Sequence, residues 1–449
     1  MMPDGIRNHS LLTWLYPGMH IKRWLLLLVV GMTLLSLGVG YLLREAYFSY
    51  TFPGVFHYLT LQFIPRWGRG VLFVWLAFGS VGLAMWKLNA SLLYAFVRPD
   101  GSNRSVAQSL YTKRVLGRGP RIVAIGGGTG LSVLLRGLKN YTSNLTAIVT
   151  VADDGGSSGR LRQEFGVGAP GDIRQCVAAL AEAEPLMSRL FQYRFEEGEG
   201  LEGHSFGNLF IVAMANVTGN FETAIHETSR VLNVRGAILP STLEDVTLSA
   251  RTHDDELVYG EHNITERGAR IRELYLNPSH VQAHPDAVRA IMEADLVVVG
   301  PGSLYTSVLP NLLVEDLQKA LLATRAPSLF VCNVATQHGE TDEFGVADHL
   351  EAVAQHTAPN LIDIVVANNN VAPSLPDEWR SAPVVLRQPD SGVFEGMRVV
   401  QADVVADQNR YRHDSAKLAA AILHVYHGRE GAAPMVEHAR AEEAVLATR

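Results

Sequence analysis

The sequence predicts an α/β fold, in which a mostly parallel sheet is covered by helices and is preceded by a two-helix transmembrane hairpin. From residue 121 onwards, short β-branched runs alternate with stretches of helical spacing, and several runs end in glycine-rich turns. Such alternation is typical of parallel sheets, because a helix usually connects each strand to the next. The hairpin is predicted by two long apolar runs before residue 98.

Composition separates the chain into a basic and an acidic part. The 449 residues include 38 Lys+Arg and 45 Asp+Glu. Residues 1–120 carry 12 basic and 3 acidic side chains, which leaves 26 basic and 42 acidic ones for residues 121–449. The acidic part argues against a nucleic-acid surface. Cys176 and Cys332 are too few and too far apart in sequence for a disulfide framework or a zinc site, so we expect a reducing cytosol and two buried thiols.

The hairpin prediction rests on residues 24–43 and 70–86. The first run has twenty residues without a charge and spans roughly 30 Å as a helix, the thickness of a bilayer core. The second has 17 residues, at the short end of the range for a span. A secretory signal peptide is the alternative for the first run, but residues 42–45 offer no small-residue cleavage site.

The basic residues around the apolar runs predict the orientation of the hairpin. Those outside the runs are Arg7, Lys22, Arg23, Lys87, Arg98, Arg104, Lys113, Arg114 and Arg118, against Arg44, Arg66 and Arg69 between them. Positive residues favour the cytoplasmic side, so both ends should face the cytoplasm of a multi-pass cell-membrane protein. Residues 1–98 would form the hairpin and 99–120 a basic linker, which either is simply solvated or also contacts anionic membrane lipid.

The remainder, residues 121–429, reads as one α/β domain, followed by a charged tail at 430–449. The predicted strands are 121–125, 145–151, 296–299, 328–331 and 362–366, and the predicted helices are 131–138, 172–183, 208–216, 221–232 and 347–355. A further helix should begin near Asn311, and a long loop is predicted up to Gly171.

The first glycine-rich turn follows the first strand and comprises Gly126, Gly127, Gly128, Thr129 and Gly130. Without bulky side chains, its backbone amides and the next helix N-terminus can face an anion such as a phosphate. The turn departs from the dinucleotide fingerprint, because Leu131 stands at the third glycine position, and it lacks the lysine of a Walker A loop. A tight turn after a buried strand is the alternative.

The second turn follows the second strand and is rich in polar groups. Its candidate ligand-binding residues are Asp153, Asp154, Gly155, Ser157, Ser158 and Arg160. The hydroxyl and guanidinium groups suit a phosphate or a sugar hydroxyl, and an aspartate here could accept from ribose or hold Mg²⁺. The alternative is an Asx turn with a solvated arginine.

The third turn, with Gly300, Gly302 and Ser303, also follows an apolar strand. Parallel strands end at one edge of a sheet, so the three turns should converge and bind a nucleotide or phosphosugar. Ser205 can cap the following helix, whereas a lone histidine such as His204 is more often structural than catalytic. No zinc-protease motif is present, and no catalytic residue is assigned.

Taken together, these segments resemble the YvcK-like gluconeogenesis factors, relatives of the 2-phospho-L-lactate transferases (CofD-like proteins) of coenzyme F420 synthesis. The resemblance covers most of residues 121–426. The matching segments are 126–132, 150–162, 170–174, 193–195, 203–209, 300–307, 310–313 and 336–342.

The resemblance implies a Rossmann-like core with helices on both faces that binds UDP-sugars, notably UDP-N-acetylglucosamine. It also implies a role in cell-wall synthesis and cell shape, especially on gluconeogenic carbon sources. The transferase relatives use Mg²⁺, and their metal-binding aspartate lies in the loop that Asp153 and Asp154 occupy here. Arg412 resembles an arginine used for the nucleotide sugar, and Trp379 stands where relatives carry a tyrosine.

Two functions follow as hypotheses. In the first, a non-catalytic binding module senses the nucleotide sugar, with Asp153 or Asn208 at ribose and sugar hydroxyls, and acts on a cell-wall protein. In the second, a Mg²⁺-assisted transferase uses Asp153 and Asp154 for the metal and Arg160 for developing phosphate charge. A pure membrane scaffold is a third reading. No cofactor is required by the first, and the oligomeric state stays open, with a homo-oligomer as one option.

Overall fold

The computed structural model describes residues 63–96, 115–182, 185–371, 380–387 and 392–428, together with residues 29, 32, 33, 36, 39, 40 and 44. Two compact units divide the chain, Met1–Val115 and Leu116–Arg449.

The N-terminal unit contains helix α1, Arg66–Phe96, which includes the second predicted apolar run. The first run, the basic linker up to residue 114 and the tail from residue 429 lie almost entirely outside the described residues. Among the residues that are described, no helix has both the length and the apolar character needed to cross a membrane. The structure therefore does not support the predicted hairpin.

The second unit is built on a seven-stranded sheet in which all neighbouring strands are parallel. Its strands are β1 Ile122–Gly126, β2 Leu145–Val149, β3 Ala237–Pro240, β7 Leu296–Val299, β8 Ser328–Val331, β9 Ile364–Asn368 and β10 Arg398–Ala402. Their order across the sheet is β10-β9-β8-β7-β1-β2-β3. The parallel pairing confirms the predicted sheet.

Helices cover both faces of this sheet. They are α2 Gly128–Leu138, α3 Gly156–Phe165, α4 Pro170–Leu180, α5 Pro185–Gln192, α6 Phe206–Thr218, α7 Phe221–Val231, α8 Glu261–Arg267, α9 Pro285–Glu293, α10 Leu309–Leu312, α11 Glu315–Ala323, α12 Val346–His356 and α13 Ser415–His427.

Side chains of β1 alternate between two hydrophobic cores. Val123 and Ile125 belong to the core that α9 to α12 cover, and Ile122 and Ala124 to the core of α2, α4, α6, α7 and α13. All four side chains are buried. This two-sided burial explains why the strand reads as a continuous apolar run rather than an alternating one. The Rossmann-like arrangement with helices on both faces is as expected.

A second, three-stranded antiparallel sheet was not predicted. It consists of β4 Thr247–Thr252, β5 Leu257–Tyr259 and β6 Ile271–Asn277, in the order β5-β4-β6. Leu248 of β4 and Leu274 of β6 join the core on the α9 side of the main sheet. The small sheet therefore shares a hydrophobic core with the main sheet and belongs to the same compact unit.

The predicted strands 296–299 and 328–331 match β7 and β8 at both ends. The predicted long loop up to Gly171 is wrong, because Gly156–Phe165 is helix α3. This helix starts with glycine and serine, so its helical periodicity is weak. Its inner face buries Ser157, Leu161 and Arg162 rather than a row of leucines.

Candidate functional site

The strand order reverses direction between β1 and β7. On one side of β1 lie β2 and then β3. On its other side lie β7, β8, β9 and β10, in that order. In open α/β sheets a ligand crevice lies beyond the carboxyl ends of the strands at such a switch point. The first and third glycine turns occupy these two ends, and the second turn follows the neighbouring β2.

The two glycine turns are in direct contact. The Gly300 N–H donates to the Ile125 carbonyl at 2.8 Å. A Cβ on Gly130 would lie 2.4 Å from the Pro301 carbonyl oxygen, and one on Gly302 would lie 3.3 Å from the Gly127 carbonyl oxygen. The predicted convergence of these turns is therefore confirmed. Gly130 has to be glycine because the backbone of the other turn fills the space of its side chain.

The third turn is held by the segment that follows β8. Ser303 Oγ donates to Gln337 Oε1 at 2.6 Å, and Gln337 Nε2 donates to Glu340 Oε1 at 2.8 Å. Thr306 donates to the same Glu340 oxygen at 3.3 Å. Glu340 is 2% exposed and its Oε2 has no hydrogen-bond partner. Burial raises the pKa of this carboxyl to about 7, so the carboxyl is partly protonated near neutral pH.

Asp172, in the first turn of α4, lies against the first glycine turn. A Cβ on Gly127 would be 2.3 Å from Asp172 Oδ2. Burial, followed by repulsion from Asp153, raises the pKa of Asp172 to about 7, although the Gly128 N–H favours the charged form. In the sequence, Asp172 stands out only as part of the family segment 170–174. A clearer signal was its position in the first turn of a helix, after a proline at the first helical position.

The two aspartates predicted to hold a metal point to different partners. Asp153 Oδ1 accepts from the Gly155 N–H at 3.0 Å, which is the Asx turn considered as an alternative. Asp154 accepts from the N–H groups of Glu261 at 3.2 Å and His262 at 2.9 Å, at the start of α8. In the described part of the chain, no three His, Cys, Asp or Glu side chains are grouped to hold one metal ion.

Glu261 extends this acidic region. Burial raises its pKa to about 8, and Asp153, Glu340, Asp154 and Asp172 contribute in that order. The carboxyl groups at this edge therefore repel one another, and the arrangement favours partial protonation or a bound cation.

A buried polar network joins the second turn to the start of α6. Asn208 Nδ2 donates to Ser157 Oγ at 3.0 Å, and Arg174 Nε donates to Asn208 Oδ1 at 3.0 Å. Ser157 Oγ is also 3.0 Å from His204 Nδ1. Ser205 caps α6 by accepting from the Asn208 N–H, as predicted. His204 is thus part of a structural network, and the Ser157 hydroxyl is engaged with protein groups.

Arg160 and Ser158 take different places. The Arg160 side chain is exposed, and its Nη2 donates to the Glu202 carbonyl at 2.9 Å. Ser158 is buried beside Asp153, since a Cβ on Gly171 would contact Ser158 Oγ at 2.3 Å and Asp153 Oδ2 at 2.7 Å.

Arg412 is exposed in the turn before α13. The next residue, His413, bonds through Nε2 to the carbonyl of Cys332, directly after β8, at 3.2 Å. This bond anchors the Arg412 turn near the carboxyl end of the sheet. Trp379 lies outside the described residues. Both cysteines are free and buried, as expected.

Comparison with known proteins identifies the family. The family described as 2-phospho-L-lactate transferase CofD matches residues 122–407, well over half of the chain. The chain belongs to the CofD family. All three turns, Asp172 and the buried network lie inside the matched region.

Among curated CofD-family relatives, a putative gluconeogenesis factor of Nostoc sp. is 45% identical over 427 residues, covering 92% of each chain. That alignment is longer than residues 116–449, so it extends into the N-terminal unit. The gluconeogenesis factor of Bacillus subtilis is 45% identical over 315 residues, covering 69% of this chain and 98% of its own. Relatives with and without a counterpart of the N-terminal unit therefore exist, and the resemblance to gluconeogenesis factors is confirmed.

The fold is shared with a protein of known structure. A crystal structure of a Bacillus halodurans protein matches with a TM-score of 0.64 and 42% identity, and covers 68% of this chain and all of its own.

Proposed function

We propose that this protein is a regulator that binds a nucleotide sugar, UDP-N-acetylglucosamine, and is needed for cell-wall synthesis and cell shape, especially during gluconeogenic growth. The name gluconeogenesis factor, carried by its relatives, supports the physiological part. The contact between the two glycine turns at the switch point is the observation that supports binding of a nucleotide sugar. The glycines there carry no side chain of their own, so their backbone suits the close approach of a diphosphate.

Positive charge beside the turns supports an anionic ligand. Arg174 is half-buried at one end of the buried network, and burial followed by repulsion from Arg194 lowers its pKa. An arginine that is partly desolvated next to another arginine gains from a phosphate more than a solvated one does. Arg160 is exposed near the same network and can move to a ligand without leaving a buried charge.

Asp172 makes nucleotide binding dependent on pH. Its carboxyl lies at the N-terminus of α2, where an anion would bind, so the charged form opposes a diphosphate. The neutral form can instead donate a hydrogen bond to a phosphate oxygen. We therefore expect affinity to fall as the pH rises through about 7.

Calorimetry on the full-length protein tests the proposal. UDP-N-acetylglucosamine should give saturable heat without turnover, UDP a weaker signal, and GDP-sugars little heat. Gly130→Val should abolish binding because it separates the two turns. Asn140→Ala, at an exposed position after α2, should bind as the wild type does. An absence of heat with millimolar UDP-N-acetylglucosamine would sink the proposal.

A Mg²⁺-dependent transferase acting on a nucleotide diphosphate donor is the second candidate, and the pair Asp153 and Asp172 favours it. A Cβ on Gly171, the residue before Asp172, would lie 2.7 Å from Asp153 Oδ2, so the two aspartates belong to one part of the site. Mg²⁺ is usually bound by one or two carboxylates together with substrate phosphates, so this donor set fits the ion. Asp154 fits less well because it is bonded to the start of α8. When bound, the ion would neutralise phosphate charge.

Asp172→Asn distinguishes the two candidates. If the protein binds the nucleotide sugar without metal, the variant should bind more tightly at pH 8, since a negative charge is removed from the α2 N-terminus. If Asp172 holds Mg²⁺, the variant should lose the Mg²⁺ dependence of nucleotide affinity. Phosphorus NMR of UDP-sugar incubated with wild-type protein and Mg²⁺ checks separately for a product.

The cell-membrane location, the lipid contact and the cell-wall protein partner stay predictions. Fractionation of cells that produce the full-length chain checks the location directly.

A further inference from the structure

The surface next to the buried network has an apolar patch that the described residues leave uncovered. Leu186, Met187, Leu190 and Tyr193, at and just after α5, form what we call the α5 patch. Their exposed fractions are 66%, 40%, 40% and 50%. The spacing of Leu186, Leu190 and Tyr193 places them on one side of the helix. The opposite side is anchored by Phe191, which is buried and packs on Phe210 at 5.9 Å between ring centroids.

An acidic loop follows the α5 patch directly in the chain. Its four exposed carboxylates, which we call the acidic rim, are Glu196, Glu197, Glu199 and Glu202. The Tyr193 ring packs edge-on against Phe195 at 5.2 Å, which joins the patch to this loop. Arg189 and Arg194 are the basic residues of the segment, and Arg160 contacts the loop from α3, so four carboxylates face three guanidinium groups.

The loop that carries the acidic rim is held in a defined conformation. The Phe195 N–H donates to the His204 carbonyl at 2.9 Å, and the Gly203 N–H donates to the Phe195 carbonyl at 2.8 Å. Arg160 and Arg194 each donate to a carbonyl of the same loop. A surface cleft of about 570 Å³ lies within it, lined by Arg160, Gly198, Gly200 and Gly203 and by three of the four rim glutamates. The cleft has room for a long basic side chain.

We infer that the α5 patch and the acidic rim together dock a basic amphipathic helix of a partner protein. The apolar side of that helix would cover Leu186 and Leu190, and its Lys or Arg side chains would meet the rim and enter the cleft. An exposed apolar patch with a charged rim is typical of an interaction surface, and charge complementarity selects the partner.

The charge of the rim disfavours the other occupants. A second copy of this chain related by a two-fold axis would bring two acidic rims together. An anionic lipid surface would be repelled by the same carboxylates. The inference goes beyond the proposed function and does not require that the nucleotide site is occupied.

Fluorescence anisotropy with the full-length protein and a labelled Leu/Lys peptide tests the inference. The peptide should span about five helical turns with leucine at every third or fourth position. A matched Leu/Glu peptide is the charge control. We expect saturable binding of the basic peptide, weakened at least tenfold at high salt, and no binding of the acidic one.

Variants separate docking from general charge attraction. Leu186→Asp and the double change Glu197→Lys/Glu199→Lys should each weaken binding at least tenfold. Leu322→Asp, at an exposed leucine of α11, should leave it unchanged. Equal binding by Leu186→Asp and the wild type, or a mass that doubles with concentration in the wild type but not in Leu186→Asp, would overturn the inference. Calorimetry of Leu186→Asp with UDP-N-acetylglucosamine tests nucleotide binding independently of peptide docking.

Discussion

Asp172 Oδ2 occupies the space next to Gly127 so closely that a Cβ on the glycine would lie 2.3 Å away. The same Cβ would lie 2.8 Å from Thr150 Cγ2. The first glycine turn is therefore closed on one side by protein groups, and its lack of a side chain serves internal packing as well as any ligand. Each expected ligand contact at this turn depends on where the Asp172 carboxyl points.

Gly127→Ala should destabilise the domain by about 1–3 kcal/mol, because the methyl group must displace Asp172 or Thr150. Urea unfolding of the full-length protein measures this change. Gly126→Ala is the matched control, since its Cβ would meet nothing closer than 3.7 Å. Equal stability of the two variants would contradict the packing that the structure shows.

Asp172→Asn should change the pH dependence of stability. The native pKa is about 7 and the ordinary value is 3.8, so between these values the native state binds a proton that the unfolded state has lost. This group therefore lowers the free energy of unfolding as the pH rises from about 4 to about 7. The asparagine side chain does not ionise, so the free energy of unfolding of the variant does not fall in this way as the pH rises. Relative to the wild type it should gain about 2–3 kcal/mol between pH 5 and pH 8.

Glu227→Gln is the control for the direction of the pH dependence, measured by urea unfolding over the same series of pH values. The Arg230 side chain lowers the pKa of Glu227, so its ionised form stabilises the native state above the unfolded pKa. The glutamine variant should therefore lose stability relative to the wild type as the pH rises to 4.5, the ordinary pKa of this group, and should show no further change between pH 5 and pH 8. A pH response of the same sign for both variants would show that Asp172 is not held with a raised pKa.

Asn208→Ala should cost about 1–3 kcal/mol, since it leaves Ser157 Oγ and Arg174 Nε without their buried partner. A double-mutant cycle with Ser157→Ala should give a coupling energy of at least 0.5 kcal/mol, because the two side chains share one hydrogen bond. Asn140→Ala removes only an exposed bond to the Arg136 carbonyl and should change stability by less than about 0.5 kcal/mol. A coupling energy near zero would refute the network.

The sequence was sufficient to predict β1, β2, β7, β8 and β9 and the position of the turns, because buried parallel strands are short apolar runs that end at one edge. The two edge strands of the main sheet, β3 and β10, were not predicted. Leu296–Val299 is an example in which the apolar run and the strand coincide. The contact of Gly130 with Pro301 agrees with the prediction that the turns meet at one edge, whereas the pairing of β1 with β7 that produces it was not predicted. The family resemblance rested on the same turns.

The side-chain partners could not be predicted in the same way, because they come from segments far apart in sequence. Asp172 lies 45 positions after Gly127, and the Asn208 partner Ser157 lies 51 positions away. Local patterns do not report such pairs. Asp154 was predicted to be a metal ligand because its sequence neighbours do not reveal its partner. That partner is the start of α8, which begins only at Glu261.

Helix α3 is a further case in which a distant contact decides local structure. Arg162 is only 9% exposed, and its Nε donates to Asp245 Oδ1 at 2.9 Å. Its Nη2 also donates to the Val246 carbonyl at 2.5 Å. These bonds fasten a polar, glycine-rich helix to the segment before β4, and the apolar spacing that usually predicts a helix is not needed.

Arg162→Lys should therefore destabilise the domain by about 1–3 kcal/mol, although the charge is kept, because an ammonium group cannot make both bonds in the geometry of the planar guanidinium. Thermal unfolding of the full-length protein measures the loss. Arg160→Lys on the same helix is the matched control. Arg160 is exposed and donates to one carbonyl, so its replacement should change stability by less than about 0.5 kcal/mol. If both variants unfold at the wild-type temperature, Arg162 does not anchor α3.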